Sequence, residues 1–231
     1  VEIAPISNDT SCGYDTIAPI CMISYNNSAT YYKANVALKI FATFTETYSG
    51  INESSVHLAI STMGNGGLNN TSMSIIDNTH WYYDWVIPSG SDDDGPMSVF
   101  IYAYDNAGNN LSLNPTFDAS KRIDNTPPVI SSISVESITS NSAIVTWRTN
   151  ENASSHVEYG PTLSYGSGYH NAYLEILHQC RVSDLSSRTT YHYRVVSCDS
   201  AGNQNTSADE TFLTNEQPSN REPFSYPLGN R

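Results

Sequence analysis

Asp105-Asn106-Ala107-Gly108-Asn109 returns 94 residues later as Asp199-Ser200-Ala201-Gly202-Asn203, and a strand-like run leads into each copy. An offset near 100 residues is about the span of one β-sandwich, so a 231-residue chain reads as two such units in tandem. Asp and Asn tolerate turn geometry and Gly accepts positive φ, so each copy is expected to turn the chain between the last two strands of its unit.

The runs around the two copies alternate with period two, as a half-buried strand does. Val36, Leu38, Ile40, Ala42 and Phe44 share one face, Val56, Leu58 and Ile60 another, and Trp81 to Ile87 forms a further strand. Met97 to Tyr104 places Val99, Ile101 and Ala103 on one side and Phe100, Tyr102 and Tyr104 on the other. In the second half, Ala143, Val145 and Trp147, then Val157 and Tyr159, then Leu174, Ile176, Cys180 and Val182, then Tyr191, Tyr193 and Val195 are assigned inward. Turn-forming residues such as Gly64-Asn65-Gly66-Gly67 separate the runs. Asp15-Thr16-Ile17-Ala18-Pro19 and Asp124-Asn125-Thr126-Pro127-Pro128 both read as the approach to a first strand, where proline removes a ladder donor and stiffens the chain.

Composition agrees with this. Hydrophobic residues make up 39% and charged residues only 14%, with no long run at helical spacing, so the expected fold class is all-β. The divisions expected are an arm over residues 1–16, a sandwich over 17–124, a second over 125–215 and an extended tail over 216–231. A formal net charge of −13 disfavours nucleic acid and anionic membrane surfaces as partners. No stretch reaches membrane-spanning length, and the start at Val1 without a leader-like segment suggests a mature or excised piece.

Eight Asn-x-Ser/Thr triplets, at Asn8, Asn26, Asn52, Asn69, Asn70, Asn110, Asn152 and Asn205, point to a glycosylated extracellular protein. Cys12 and Cys21 are near neighbours, as are Cys180 and Cys198, so two local disulfides in an oxidising compartment are the economical pairing. A Cys180–Cys198 bridge would close a loop of roughly 19 residues and add about 3 kcal/mol.

Trp147, Val157-Glu158-Tyr159-Gly160 and Leu185-Ser186-Ser187-Arg188-Thr189-Thr190-Tyr191 resemble a fibronectin type III domain, over about 90 residues. The resemblance implies a tyrosine corner at Tyr191, whose hydroxyl bonds to upstream backbone. Ser187 stands where that family usually has proline. Ser155-His156-Val157-Glu158-Tyr159-Gly160 is also similar to the N-terminal domain of secreted purple-acid-type metallophosphatases, which keep their metal ligands elsewhere. Phe44-Thr45-Glu46, Ser49-Gly50-Ile51 and Tyr102 to Asn109 resemble the immunoglobulin-like repeats of large prokaryotic surface proteins. Together these imply tandem immunoglobulin-like and fibronectin type III β-sandwiches, in a prokaryotic envelope, bacterial or archaeal.

No nucleophile elbow, His-Glu-x-x-His helix or phosphate loop is present, and the six histidines lack ligand spacing. Asp92, Asp93 and Asp94 lack the alternation of a calcium loop and read as a solvated turn. Glu46, Asp105, Asp124 and Asn125 resemble the linker carboxylates that share calcium in cadherin-like repeats, and calcium is the one ligand the sequence suggests. The expectation is a non-catalytic segment of a surface layer, adhesin or filament. Its partners would be copies of itself or other surface domains joined by strand addition, or a glycan. Accessory domains of an extracellular hydrolase are the alternative.

Overall fold

The computed structural model describes residues 15–90, 93–111 and 116–218. Asn8, Cys12, most of the expected arm and residues 219–231 of the expected tail lie outside them. The chain divides into two compact units between Thr126 and Pro127, each a β-sandwich, and the fold class is all-β as expected.

Among the described residues the first unit has nine strands. They are β1 (Ile20–Tyr25), β2 (Tyr31–Tyr32), β3 (Ala37–Thr45), β4 (His57–Ser61), β5 (Leu68–Ser72), β6 (Ser74–Asp77), β7 (His80–Val86), β8 (Gly95–Tyr102) and β9 (Thr116–Ile123). One sheet runs β1-β3-β7-β6 and the other β2-β9-β8-β4-β5. Among the described residues the pairings are antiparallel except β2 with β9. The alternation read from sequence closes the interior: Leu38, Ile40, Ala42 and Phe44 of β3 pack with Leu58, Ile60, Val99, Ile101 and Trp81, all buried. The Phe44 and Trp81 rings meet edge to face at 5.2 Å. On the outer side of β8, Tyr102 is exposed and Phe100 half-buried, and Tyr104 beyond the strand is exposed.

The second unit comprises β10 (Ile130–Glu136), β11 (Ser142–Gly160), β12 (Ser167–Ser183), β13 (Thr190–Cys198), β14 (Gln204–Thr206) and β15 (Glu210–Leu213). Two strands are long because each serves both layers. The first half of β11 pairs with β10 and the end of β12, and its second half pairs with the start of β12 and with β13. Ala143, Val145 and Trp147 from one half pack with Val157, Tyr193, Val195 and Phe212 in a single core. The expected tyrosine corner is present: Ser186 N–H donates to the Tyr191 hydroxyl at 3.0 Å. Gly160 is required by a close approach, since a Cβ there would lie 1.5 Å from the Tyr165 carbonyl oxygen.

Leu174 and Ile176 are exposed rather than inward. The β11–β12 register shifts on both sides of the Ala153–Glu175 pair, and each shift moves side chains to the other face. Asp93 is likewise buried rather than solvated. Its Oδ1 accepts the Thr62 hydroxyl at 2.6 Å and the Gly66 N–H at 3.0 Å.

The expected Cys180–Cys198 bridge is not formed. Cys180 sits opposite Val145 near the start of β11 and faces the second core. Cys198 N–H instead donates to the Ser154 hydroxyl far along the same strand. A disulfide needs Cα atoms about 4.4–6.8 Å apart, which positions so far separated along β11 do not supply. Burial and the nearby Glu175 carboxylate push the Cys180 thiol up to about 12, so it is an inert core group.

Candidate functional site

The repeated Asp-x-Ala-Gly-Asn segment is a carboxylate-braced turn in both copies. In the first, Asp105 N–H donates to the Asn109 carbonyl at 3.1 Å and Gly108 N–H to the Asp105 carbonyl at 3.2 Å. Asn109 returns two bonds to the Asp105 carboxylate, from its N–H at 2.8 Å and its side-chain amide at 2.7 Å. Asp199 and Asn203 repeat this at 2.9 and 2.9 Å. Gly108 and Gly202 take φ of 90° and 87°, which any other residue adopts only under strain. Asp105 is 1% exposed. Burial works to raise its carboxyl, but the hydrogen bonds from Asn109, Ala107 and Gly108 outweigh that and hold it below the usual carboxylate range.

The first turn also anchors the segment leading into the unit, because the Asn109 side-chain amide donates to the Asp15 carbonyl at 3.0 Å. This brings the Asp15 carboxylate to Asp105 and to Glu46, which follows β3. One oxygen of each of the three lies within 4.8 Å of the other two. Asp15 Oδ1 accepts Ile17 N–H at 3.0 Å, and Glu46 Oε1 accepts the N–H groups of Thr47 and Tyr48, both at 2.9 Å. Asp15 Oδ2 and Glu46 Oε2 are buried and have no hydrogen-bond partner among the described residues. Within the described residues of the first unit, these three carboxylates are placed to hold a cation.

Of the residues expected to bind calcium, the structure therefore brings Glu46 and Asp105 together. Asp124 is not among the carboxylates gathered there, and its Oδ1 accepts Thr126 N–H at 3.2 Å. The Asn125 side chain accepts Ala34 N–H at 2.5 Å and donates to the Gly90 carbonyl at 2.9 Å. Sequence reasoning missed Asp15, although its place before a first strand matches that of Asp124. In the second unit, carboxylate oxygens of Glu151 and Asp199 come within 4.8 Å of each other.

The polar groups of the second unit are organised for structure. His178 is buried and stacks on Trp147 at 4.8 Å, with its ring nitrogens 2.8 Å from the hydroxyls of Thr149 and Ser155. The Ser155–His178 pair has the chemistry of a nucleophile and its base, but Ser155 is 0% exposed and meets no solvent. The His192 Nδ1 lies 2.8 Å from an Asp209 carboxylate oxygen. Arg194 pairs with Glu158 and lies over the Tyr165 ring at 4.9 Å. Among the sequons, Asn26, Asn69, Asn70, Asn110 and Asn152 are exposed, and Asn52 and Asn205 are half-buried. The Asn205 amide is already spent on the Pro128 carbonyl at 2.8 Å.

Residues 128–214 match the family described as purple acid phosphatase, N-terminal domain. No curated protein matches the chain. Among solved structures, domains A168–A170 of titin superpose with a TM-score of 0.53 at 14% identity, covering 87% of this chain and 67% of that one. The FN1–FN3 domains of chicken CNTN1 give a TM-score of 0.42 at 15% identity, covering 87% of this chain and 68% of that one. A fibronectin type III domain from the human KIAA0970 protein gives 0.32 at 17% identity, covering 44% of this chain and 85% of its own. The fold is that of tandem immunoglobulin-like and fibronectin type III sandwiches. Among the described residues, no helix is long and apolar enough to cross a membrane.

Proposed function

We propose that this chain is a non-catalytic structural and adhesive segment of a glycosylated protein on the outside of a cell, of the kind that builds surface layers, adhesins or filaments. The observation that carries the reading is that each sandwich closes its own core while apolar side chains remain on its edge strands. Ile20 and Met22 of β1, Ile75 and Ile76 of β6, and Tyr173, Leu174 and Leu177 of β12 are all exposed. An edge strand with free backbone groups and an apolar surface is suited to adding a strand from a neighbouring copy or another surface domain. Five exposed sequon asparagines and the formal charge of −13 favour a solvated, glycan-bearing exterior.

The direct test is labelling of intact source cells with a membrane-impermeant amine reagent. Lys33, an exposed lysine between β2 and β3, should be modified before lysis. Modification only after the cells are broken open would overturn the assignment.

The match of residues 128–214 favours a second reading, in which the chain supplies accessory domains to an extracellular hydrolase such as a metallophosphatase or glycosidase. Co-purification of phosphomonoesterase or glycosidase activity with the native gene product would support it. An assembly of further sandwich repeats would support the scaffold.

A further inference from the structure

The cluster at one end of the first sandwich is short of hydrogen-bond donors in an ordered way. Asp15 and Glu46 each satisfy one carboxylate oxygen from local backbone and leave the other, Asp15 Oδ2 and Glu46 Oε2, buried without a donor among the described residues. Buried polar atoms almost always find a partner, so two orphans on carboxylates that converge with a third point to a partner that is not a protein group. Asp105, which completes the set, is fixed in place by its two bonds from Asn109.

We propose that Asp15, Glu46 and Asp105 form a calcium site, each supplying an oxygen ligand, and that the ion staples the leading segment to both sheets of the first sandwich. The donors are all carboxylate oxygens, which select a hard cation and disfavour zinc. Calcium takes oxygen ligands at about 2.3–2.6 Å in irregular geometry, whereas magnesium at about 2.1 Å demands a near-octahedral cage, and three carboxylates brought in from three separate chain segments suit the former. Asp15 precedes β1, Glu46 follows β3 of the same sheet, and Asp105 follows β8 of the opposite sheet. One ion there ties together three separate chain segments. The inference stands on the first unit alone and is independent of the surface reading.

The chain is stripped with a chelator and titrated with calcium chloride or magnesium chloride, while melting is followed by calorimetry and binding by isothermal titration. Calcium should raise the Tm of the wild type saturably, with a Kd on the order of 10⁻⁴–10⁻³ M, and magnesium should shift it less. Glu46→Gln and Asp15→Asn should each weaken calcium binding at least about tenfold. In chelator Glu46→Gln should melt no lower than the wild type, because its amide can donate to a neighbouring carboxylate. The crossing of the two melting orders, without and with calcium, is a signature that a merely structural carboxylate would not give. No shift and no heat up to about 10 mM calcium, an equal response to magnesium, or a calcium response that survives both substitutions would each overturn the proposal.

Discussion

The Tyr191 hydroxyl accepts a 3.0 Å hydrogen bond from the backbone N–H of Ser186, and its ring stacks on Phe212 at 5.8 Å. Tyr191→Phe keeps the ring and orphans the Ser186 N–H. We expect a loss of about 1–2 kcal/mol in urea unfolding of the second unit with an unchanged m value. An unchanged midpoint would show that the turn is held without this bond.

Asp199 accepts N–H bonds from Ala201 at 2.8 Å and Asn203 at 2.9 Å, and the Asn203 side-chain amide at 2.9 Å. Asp199→Ala removes every one of these acceptors at a buried position. The expected cost is about 2–4 kcal/mol, at the upper end of the range for a group that answers several donors. Equilibrium unfolding measures it, and a change below about 1 kcal/mol would show that the turn's backbone alone suffices.

Gly160 leaves no room for a side chain. Gly160→Ala should destabilise the second unit by more than about 3 kcal/mol, because the displaced atom is backbone and not the end of a flexible side chain. Soluble protein with a native-like Tm would contradict the geometry.

Burial lowers the pKa of His178 from the ordinary 6.5, against a smaller upward pull from Glu175. A depressed histidine binds protons more readily in the unfolded chain, so its contribution to stability is complete above about pH 6.5 and is lost as pH falls below that toward the folded value. Stability of the wild type should therefore drop between about pH 7 and pH 5. In His178→Phe, which keeps a ring against Trp147, that drop should be smaller. Parallel pH profiles for the two proteins would exclude His178 as the cause.

Cys180 is buried with its thiol pushed up to about 12, so it should resist iodoacetamide in native protein and react fully in denaturant. Peptide mass mapping reads both states. Native alkylation, or a Cys180–Cys198 linked peptide, would contradict the fold near β12.

The sequence showed most of the fold wherever strands keep one face toward one core, as Leu38, Ile40, Ala42 and Phe44 do. It failed where periodicity breaks. The register shifts beside Glu175 turned Leu174 and Ile176 outward, and no local pattern announces a bulge in so polar a stretch. The two layers served by β11 separate Cys180 from Cys198, a distance that spacing along the chain does not reveal. Within the candidate site, Glu46 and Asp105 were visible beside motifs. Asp15 was not, because its role depends on a single side-chain bond from Asn109 across the turn. Asp93 looked solvated among other aspartates, but it is buried and accepts bonds from Thr62 and Gly66, partners far off in sequence.

The central claim is that two sandwiches each close their own core, which is what lets such a chain serve as a string of structural modules. Amide hydrogen exchange on the intact chain carrying Phe212→Ala, which opens only the second core, tests this most directly. The account predicts faster exchange across β10 to β15 with β3, β4, β7 and β8 protected as in the wild type. A matching loss of protection in those strands of the first unit would contradict it.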